Sequence, residues 1–507
     1  MTIKTALRNI KNKGLRRYIK DYRKGKQTKR HRNKIHDDIN HYLDQAACFE
    51  SNKKLTFESD MDSCLELAVF ISKEKAVLKN QELFKLARPI ARLISENHGS
   101  LTVQESEKTD TLLDTLWDLE KKKKYSRFIK SVYVKEIYPS IYREYSEKPI
   151  EDKLIMMESG RSPSPSSKHL SEVLKEGGRY KVLYMGLRIR EVPFAVFYEN
   201  GAAMIRELAT AKALFLSTAN DLLSHFDVRP ETKVIQLWHG VGAFKHVGHS
   251  TVNNKNFGRS RELWNEYDSY RNYYAVTIAS EGQRWIFKDS MQLDDSQILP
   301  IGVARTDVFY DRKYHDDALE RLYERFPVMR GKKIILYAPT FRGAVGKGTA
   351  PDKLDVKEMS EKLADDYVLV IKHHGLSGNI PPIPEGLEDR FAFDLNKHSV
   401  LDIDSLLVVS DILITDYSSV AFEYAITERP IIFFTYDLEE YIEQRGLYFD
   451  FEKDAPGPLC RDSESIINYI LNIDERFDKD KLLKFKREYV DACDGHATER
   501  TIALIEQ

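Results

Sequence analysis

Three imidazoles and three fixed cations stand in short loops rich in glycine or proline: His239 with Lys245, Arg342, and Lys372 with His373 and His374. Imidazole titrates near neutrality, so such a set is suited to moving a proton beside an anionic substrate. His239 ends the apolar run 234–238 and is followed by glycines that let a substrate come close to the backbone. It reads as a general base or as a hydrogen-bonded structural histidine in a tight turn; Lys245 reads as a phosphate contact or as a surface charge. Arg342, in Ala338-Pro-Thr-Phe-Arg-Gly343, has the planar fork that grips an anionic oxygen in bidentate fashion, and Pro339 stiffens its loop. An ordinary exposed arginine is the alternative. Lys372-His-His-Gly375 brings two imidazoles and an ammonium to one strand end. No carboxylate or cysteine lies at ligand spacing there, which favours proton transfer or phosphate binding over a metal. The segment 410–434 runs from an apolar strand through Tyr417-Ser418-Ser419 into a short helix over 420–426. A serine N-cap, free N–H groups and two hydroxyls favour an anion, and a plain capped helix is the bland reading. Arg445 to Asp450 and Ala455 to Pro458 form a rigid loop suited to closing on a ligand.

These residues need strands that end together. Apolar runs predict strands at 181–185, 213–216, 233–238, 274–278 and 297–301, then at 333–337, 367–371, 411–415 and 430–434, with helical segments between them. Alternation of this kind implies parallel sheets, and two sets imply two doubly wound α/β domains facing a cleft. Ligands in such folds lie outside the carboxyl ends of the strands, where every polar motif above falls. The expected division is a helical region over 1–150, an acceptor-side domain over 151–312 and a donor-side domain over 313–507, with a Ser/Pro linker at 159–167. A chain of 507 residues matches about three domains at ~150 residues each.

A net charge of −1 excludes a global field for nucleic acid, and no nucleic-acid partner is expected. Charge is nonetheless concentrated locally: residues 1–34 hold fourteen Lys and Arg against the single Asp21, a net +13. With Ile3, Leu7, Ile10, Leu15, Ile19 and Tyr22 interspersed, the stretch to about Asp44 reads as a basic helix. Attachment to an anionic membrane surface, a solvated helix and a nucleic-acid arm are its readings. The region 60–145 is helix-patterned, through Leu65, Ala68, Val69 and Ile71 and again through Leu112, Leu116 and Leu119. Four scattered cysteines form no CxxC pair, which fits a reducing cytoplasm. No run of ~18 apolar residues suggests a membrane span, and the basic amino terminus lacks a signal peptide's apolar centre.

The order of the motifs is more specific than any one of them. Gln-Leu-Trp-His-Gly, Gly-Ala-Phe-Lys, Gly302-Val-Ala-Arg-Thr-Asp307, Tyr-Ala-Pro-Thr-Phe-Arg, Lys-His-His-Gly, Ser-Asp-Ile-Leu-Ile-Thr-Asp-Tyr-Ser-Ser and Gly-Leu-Tyr-Phe-Asp with Ala-Pro-Gly-Pro resemble the CDP-glycerol glycerophosphotransferase family of teichoic-acid synthesis. The resemblance covers about residues 180–500 and includes a closing Asp494-Gly-His-Ala-Thr-Glu-Arg500. It implies a GT-B architecture whose amino-terminal half binds the acceptor and whose carboxy-terminal half binds a CDP-polyol. It assigns His239 as base, His374 and Lys372 to the family's Lys-x-His-Pro pattern, Arg342 to its arginine, and Ser418 and Ser419 to its phosphate contacts. Lys245, Thr340, Asp416 and Arg305, within the same motifs, join the expected substrate contacts. Gly375 and Ala304 replace family prolines, and Val241-Gly-Ala-Phe-Lys245 replaces Thr-Pro-Leu-Lys. The first two loosen their loops; the third lies on the acceptor side and bears on acceptor and polyol identity.

The implied activity is transfer of glycerol phosphate from CDP-glycerol to a hydroxyl of a lipid-linked or polymeric acceptor with release of CMP. No cofactor or metal is expected, and the place of action is the cytoplasmic membrane face, peripherally held. Transfer from CDP-ribitol, a GT-B sugar transferase and a non-catalytic membrane or nucleic-acid tether are the alternatives. Two acid/base imidazoles at separate strand ends favour an enzyme over a tether.

Overall fold

The computed structural model describes residues 29–51, 57–74, 82, 85–87, 89–90, 93, 130–131, 133–158, 164–187, 194–252, 254, 258–343, 348–375, 377–396 and 400–506. Most of the basic arm, and the helical pattern at Leu112 to Leu119, lie outside them.

The chain forms two compact units. The first comprises Met1–Pro149 with the excursions Leu187–Thr210 and His225–Arg229. Its described elements are helices, among them α1 (Lys29–Ser51) and α2 (Phe57–Glu74). Of the apolar residues read as its pattern, Ala68 and Ile71 of α2 are buried, together with Cys64 and Leu67, while Leu65 and Val69 are half-buried. The excursion helix Phe194–Leu208 joins this unit through Tyr198, whose ring stacks 5.0 Å from Tyr133 and whose carbonyl accepts from the Tyr138 hydroxyl at 2.9 Å.

The second unit holds two six-stranded sheets, and every strand pairing in them is parallel. The first is ordered β2-β1-β3-β4-β5-β6, from β1 (Glu151–Glu158), β2 (Lys181–Gly186), β3 (Ala211–Leu216), β4 (Lys233–Gln236), β5 (Ala275–Thr277) and β6 (Ile298–Leu299). The second is ordered β12-β11-β10-β7-β8-β9, from β7 (Lys333–Tyr337), β8 (Tyr367–Ile371), β9 (Ala392–Asp394), β10 (Ile412–Thr415), β11 (Ile431–Phe434) and β12 (Leu459–Cys460). Its order reverses between β7 and β10, and the open crevice of a doubly wound sheet lies at such a reversal. Each sheet carries its own apolar core. Ile335, Leu369, Ile414 and Ile432 centre the second; Leu154, Met156, Phe215 and Ile235 centre the first. The last helix, Ala497–Glu506, places Leu504 and Ile505 in that first core.

Several elements differ from expectation. β1 was not anticipated: two exposed acidic residues open it, followed by six buried positions that include the unbranched Met156 and Met157. The expected linker at 159–167 is helical from Pro165, where α3 (Pro165–Glu176) begins. Proline suits the first helical position because its missing N–H has no intrahelical partner there. The buried Ser167 hydroxyl joins Ser217 in hydrogen-bonding Glu158. β4 stops two residues early because Trp238 takes a left-handed φ of 61°, with its N–H donating to Gln236 Oε1 at 2.8 Å. A bulky residue in that region is costly, and such geometry collects at functional sites.

Candidate active site

Three strand ends of the second sheet build one wall of the site. Thr340 to Arg342 follow β7, His373 and His374 follow β8, and Asp416 to Ser419 follow β10. Pairing of β7 with β10 brings Thr340 to Asp416: the Thr340 N–H and hydroxyl donate to the carboxylate at 2.9 and 2.8 Å. The His239 loop after β4 forms the facing wall.

His239 retains solvent exposure as a residue, while its ring lies beside Trp238 with ring centres 4.3 Å apart. The cleft walls crowd the ring even so. That dehydration, then the charges of Arg305, Lys245 and His374, pull its pKa down to about 4, against a hydrogen bond to the Ser217 backbone. His374 is shifted downward too, first by burial and then by Lys245, with Asp416 opposing. The two imidazoles thus share one electrostatic neighbourhood and both remain neutral at physiological pH. Lys245 and His374 line a common cleft with Thr340, Phe341, Arg342, Tyr441 and Arg445. Burial pulls Lys245 down to about 8; Asp416 opposes this, while Arg445 and Arg342 add to it.

Arg342 is held more tightly than an exposed arginine. Its Nε and Nη2 grip Asp437 at 2.6 and 3.0 Å, and Nη1 donates to Thr340 and to Asp416 Oδ2 at 2.8 Å. Tyr417, Tyr436 and Tyr441 surround the guanidinium at 5.4, 5.4 and 5.0 Å from their ring centres. Arg305 is likewise internal: it is 5% exposed, pairs with Asp404 and Glu423, and donates to the His239 carbonyl at 2.9 Å. Lys372 turns toward the β9 edge, where Nζ donates to the Leu395 carbonyl at 2.7 Å. His373, 6% exposed, lines a separate pocket with Tyr337, Asp352, Ile371, Pro382 and Ile383.

Ser418 and Ser419 precede the six-residue helix α5 (Val420–Ala425), which follows α4 (Ile403–Val409) in the sequence. The expected N-cap is not made: Ser419 is already helical, and the Ser418 hydroxyl accepts only a long 3.4 Å contact from the Val420 N–H. Neither hydroxyl is committed to closing the helix. The His239 loop lies directly on this turn. A Cβ on Gly240 would stand 3.0 Å from Ser419 Oγ, a tight fit, and one on Gly242 only 2.7 Å from the Phe422 ring, so the close approach there requires glycine at 242.

His239, His374, Lys245, Thr340, Arg342, Asp416, Ser418 and Ser419 therefore gather around one cleft, whereas Arg305 stands behind His239 and Lys372 faces β9. The structure adds Glu423, Asp404, Asp437 and Tyr441, none of which was singled out from the sequence, and brings Arg445, the first residue of the loop expected to close on a ligand, to the same cleft. Glu423 offered a signal, as the one charge in the apolar run Val-Ala-Phe-Glu-Tyr-Ala. Among the described residues no group of three or more His, Cys, Asp or Glu is placed to hold a metal ion.

Comparison with known proteins relates the chain to others of similar sequence and fold. The chain is 31% identical over 429 residues to a teichoic acid poly(ribitol-phosphate) polymerase of Bacillus spizizenii, covering 82% of this chain and 66% of that protein. It is 36% identical over 303 residues to the teichoic acid ribitol-phosphate primase of the same organism, covering 59% of this chain and 75% of the relative. The solved structure of a histidine-to-alanine variant of the wall teichoic acid polymerase TagF superposes with a TM-score of 0.61 at 25% identity, over 76% of this chain and 96% of that one. The two sheets accordingly form the two Rossmann-like halves of a GT-B-like fold. The family described as CDP-glycerol:poly(glycerophosphate) glycerophosphotransferase matches residues 140–507, and the chain belongs to it.

Proposed function

We propose that the chain transfers a polyol phosphate from a CDP-polyol to a hydroxyl of a teichoic-acid acceptor and releases CMP. The observation that carries this reading is the convergence of two neutral imidazoles, Lys245 and the uncommitted hydroxyls of Ser418 and Ser419 on one cleft. The acceptor oxygen attacks the β-phosphorus in line, and the bond from that phosphorus to the bridging oxygen breaks as CMP departs. His239 takes the acceptor's proton; at pH 7 it is unprotonated, as a base must be. Lys245, His374 and the two serines receive the diphosphate, whose charge shifts toward the leaving CMP. Because α5 is short, these side chains carry more of the anion binding than a helix dipole does. Arg342, Thr340 and Asp416 shape the diphosphate wall, Arg305 and Lys372 act from behind, and the pocket of Tyr337 and His373 beside the cleft receives the nucleoside.

CDP-glycerol is the donor that the family's description names, while CDP-ribitol is favoured by the activities of the two relatives. Incubating the chain with CDP-glycerol, CDP-ribitol and nucleotide sugars, each with a teichoic-acid acceptor, tests the proposal. Release of CMP from one CDP-polyol is expected. Release of UDP from a nucleotide sugar, with both CDP-polyols untouched, would replace it with sugar transfer.

Lys245 sets a pH dependence. Its ammonium assists binding, and its pKa of about 8 means that the charge is lost as pH rises through that value. Affinity for CMP, measured by calorimetry, is expected to fall between pH 7 and 9. Lys245→Met should abolish that fall, leaving weak, pH-insensitive binding.

The acceptor is lipid-linked in this proposal, and the basic stretch Lys4 to Lys34 holds the enzyme at an anionic surface. No helix among the described residues is long and apolar enough to cross a membrane. Each Lys or Arg near such a surface contributes ~1 kcal/mol, screened over about 8–10 Å in salt. The intact chain is expected to sediment with vesicles containing anionic lipid and to be released at high salt. A chain lacking residues 1–34 should sediment less and lose activity on membrane-embedded acceptor, while keeping activity on a short soluble one. Equal sedimentation of both chains would refute the anchor.

A further inference from the structure

Behind the His239 loop lies a cluster of three buried charges to which the proposed transfer assigns no contact with substrate: Arg305, Asp404 and Glu423, at 5, 4 and 1% exposure. Arg305 arrives from the segment after β6, Asp404 from α4 and Glu423 from α5, so the cluster joins the first sheet's half to the second. Its bonds run to the loop backbone. Arg305 Nη1 donates to the His239 carbonyl at 2.9 Å, and the Val241 N–H donates to Glu423 Oε1 at 3.2 Å. Arg305 Nη1 also lies 3.5 Å from that same oxygen, while Nη2 donates to Asp404. The peptide groups on both sides of Gly240 are thus gripped by side chains.

Buried ion clusters are weak devices for stability, because desolvation offsets their attraction and apolar replacements often stabilise. Two carboxylates beside one guanidinium make the balance poorer still, and burial pushes Glu423 up to about 7 against the pull of Arg305. What the cluster does supply is direction. α5 begins at the Ser418–Ser419 turn and carries Glu423 one turn later, so a single rigid element holds both the anion-facing hydroxyls and the acceptor for the Val241 N–H. Gly240 against Ser419 and Gly242 against Phe422 close the same contact by shape.

We propose that Glu423 is a positioning residue, whose carboxylate fixes the loop 239–242 on helix α5 and so sets His239 at one distance from the diphosphate-binding turn. The inference rests on the activity proposed above. Displacing a reacting group by about 1 Å costs roughly 10²-fold in rate.

Reach and charge are separable at this position. Glu423→Gln keeps an oxygen at the same distance and loses the charge; Glu423→Asp keeps the charge and withdraws it by about 1.5 Å, one carbon–carbon bond. With the CDP-polyol that the wild-type chain accepts, the Gln variant is expected to keep kcat close to wild type. The Asp and Ala variants should lose about 10²-fold in kcat with little change in donor KM. Hydrogen exchange at the Val241 amide gives a second reading, independent of turnover: protected in wild type and Gln, fast in Asp and Ala. An active Asp variant beside an inactive Gln variant would overturn the proposal in favour of a purely electrostatic role. Equal kcat in all three would overturn it outright. If the wild-type chain consumes no CDP-polyol, the proposed activity fails on that result alone. Exchange at Val241 then decides whether Glu423 holds the loop, and unchanged exchange in the Ala variant would show that it does not.

Discussion

Replacing His239 by alanine is expected to lower turnover of the CDP-polyol by ~10²–10⁴-fold, the usual loss when a general base is removed, with donor affinity nearly unchanged. The imidazole stands on the loop after β4 that also carries Lys245 and lies against the Ser418–Ser419 turn, but it is not among the groups proposed to receive the diphosphate, so its loss should leave the donor's contacts in place. The pH profile adds a sharper check. A base works unprotonated, and crowding with the nearby charges of Arg305 and Lys245 holds the His239 pKa down to about 4. Activity in kcat/KM should therefore persist as pH falls through 6.5 and decline only toward 4. Lys245→Met removes one of the charges that depress it, so the acid limb of whatever activity that variant keeps should move upward. An acid limb at 6.5 in the wild-type chain would overturn the depressed pKa of His239, and an Ala variant keeping a third of its turnover would remove His239 from the role of base.

Arg342→Ala is expected to act on the fold before it acts on the substrate. From the sequence, Arg342 is a contact for anionic oxygen; in the structure its guanidinium is claimed by Asp437, Asp416 and Thr340 inside a ring of three tyrosines. Removing it takes the cation from two carboxylates, Asp416 at 3% and Asp437 at 15% side-chain exposure, and leaves them only their hydrogen bonds from Thr340 and Tyr417. Breaking a buried pair costs about 3–5 kcal/mol, and the 19% exposure of Arg342 itself places the loss at the lower end. For a domain of this size ~3 kcal/mol lowers the melting temperature by roughly 6–12 °C. Calorimetry should show that drop, and Arg342→Lys should recover only part of it, because an ammonium cannot make the bidentate fork. Unchanged melting with weakened CMP binding would return Arg342 to the role of a direct phosphate contact.

Much of the architecture was legible in the sequence for local reasons. β7, β8, β10 and β11 are buried on both faces and read as unbroken apolar runs, each bounded by a turn-forming motif, so their ends and the chemistry placed there could be located without coordinates. β9 and β12, three and two residues long, are too short to set a period, and β1 opens on charged residues and continues through unbranched methionines that favour no strand. The N-cap expected of Ser419 failed because a hydroxyl at a strand end has competing uses, and backbone conformation selects among them.

What the sequence by itself determined was which residue types stand at the strand ends, and through their order the family. Only the tertiary structure decided their states. Arg342 meets Asp416 and Asp437 from 74 and 95 positions away, and Arg305 meets Asp404 from 99. The low pKa of His239 likewise arises from crowding and from the charge of Arg305, which comes from a distant segment, with that of Lys245 on its own loop. Charge, hydration and reach are set by neighbours in space. A side chain's type says what it can bond to, and only the packed fold says whether a carboxylate, a carbonyl or a substrate takes the bond.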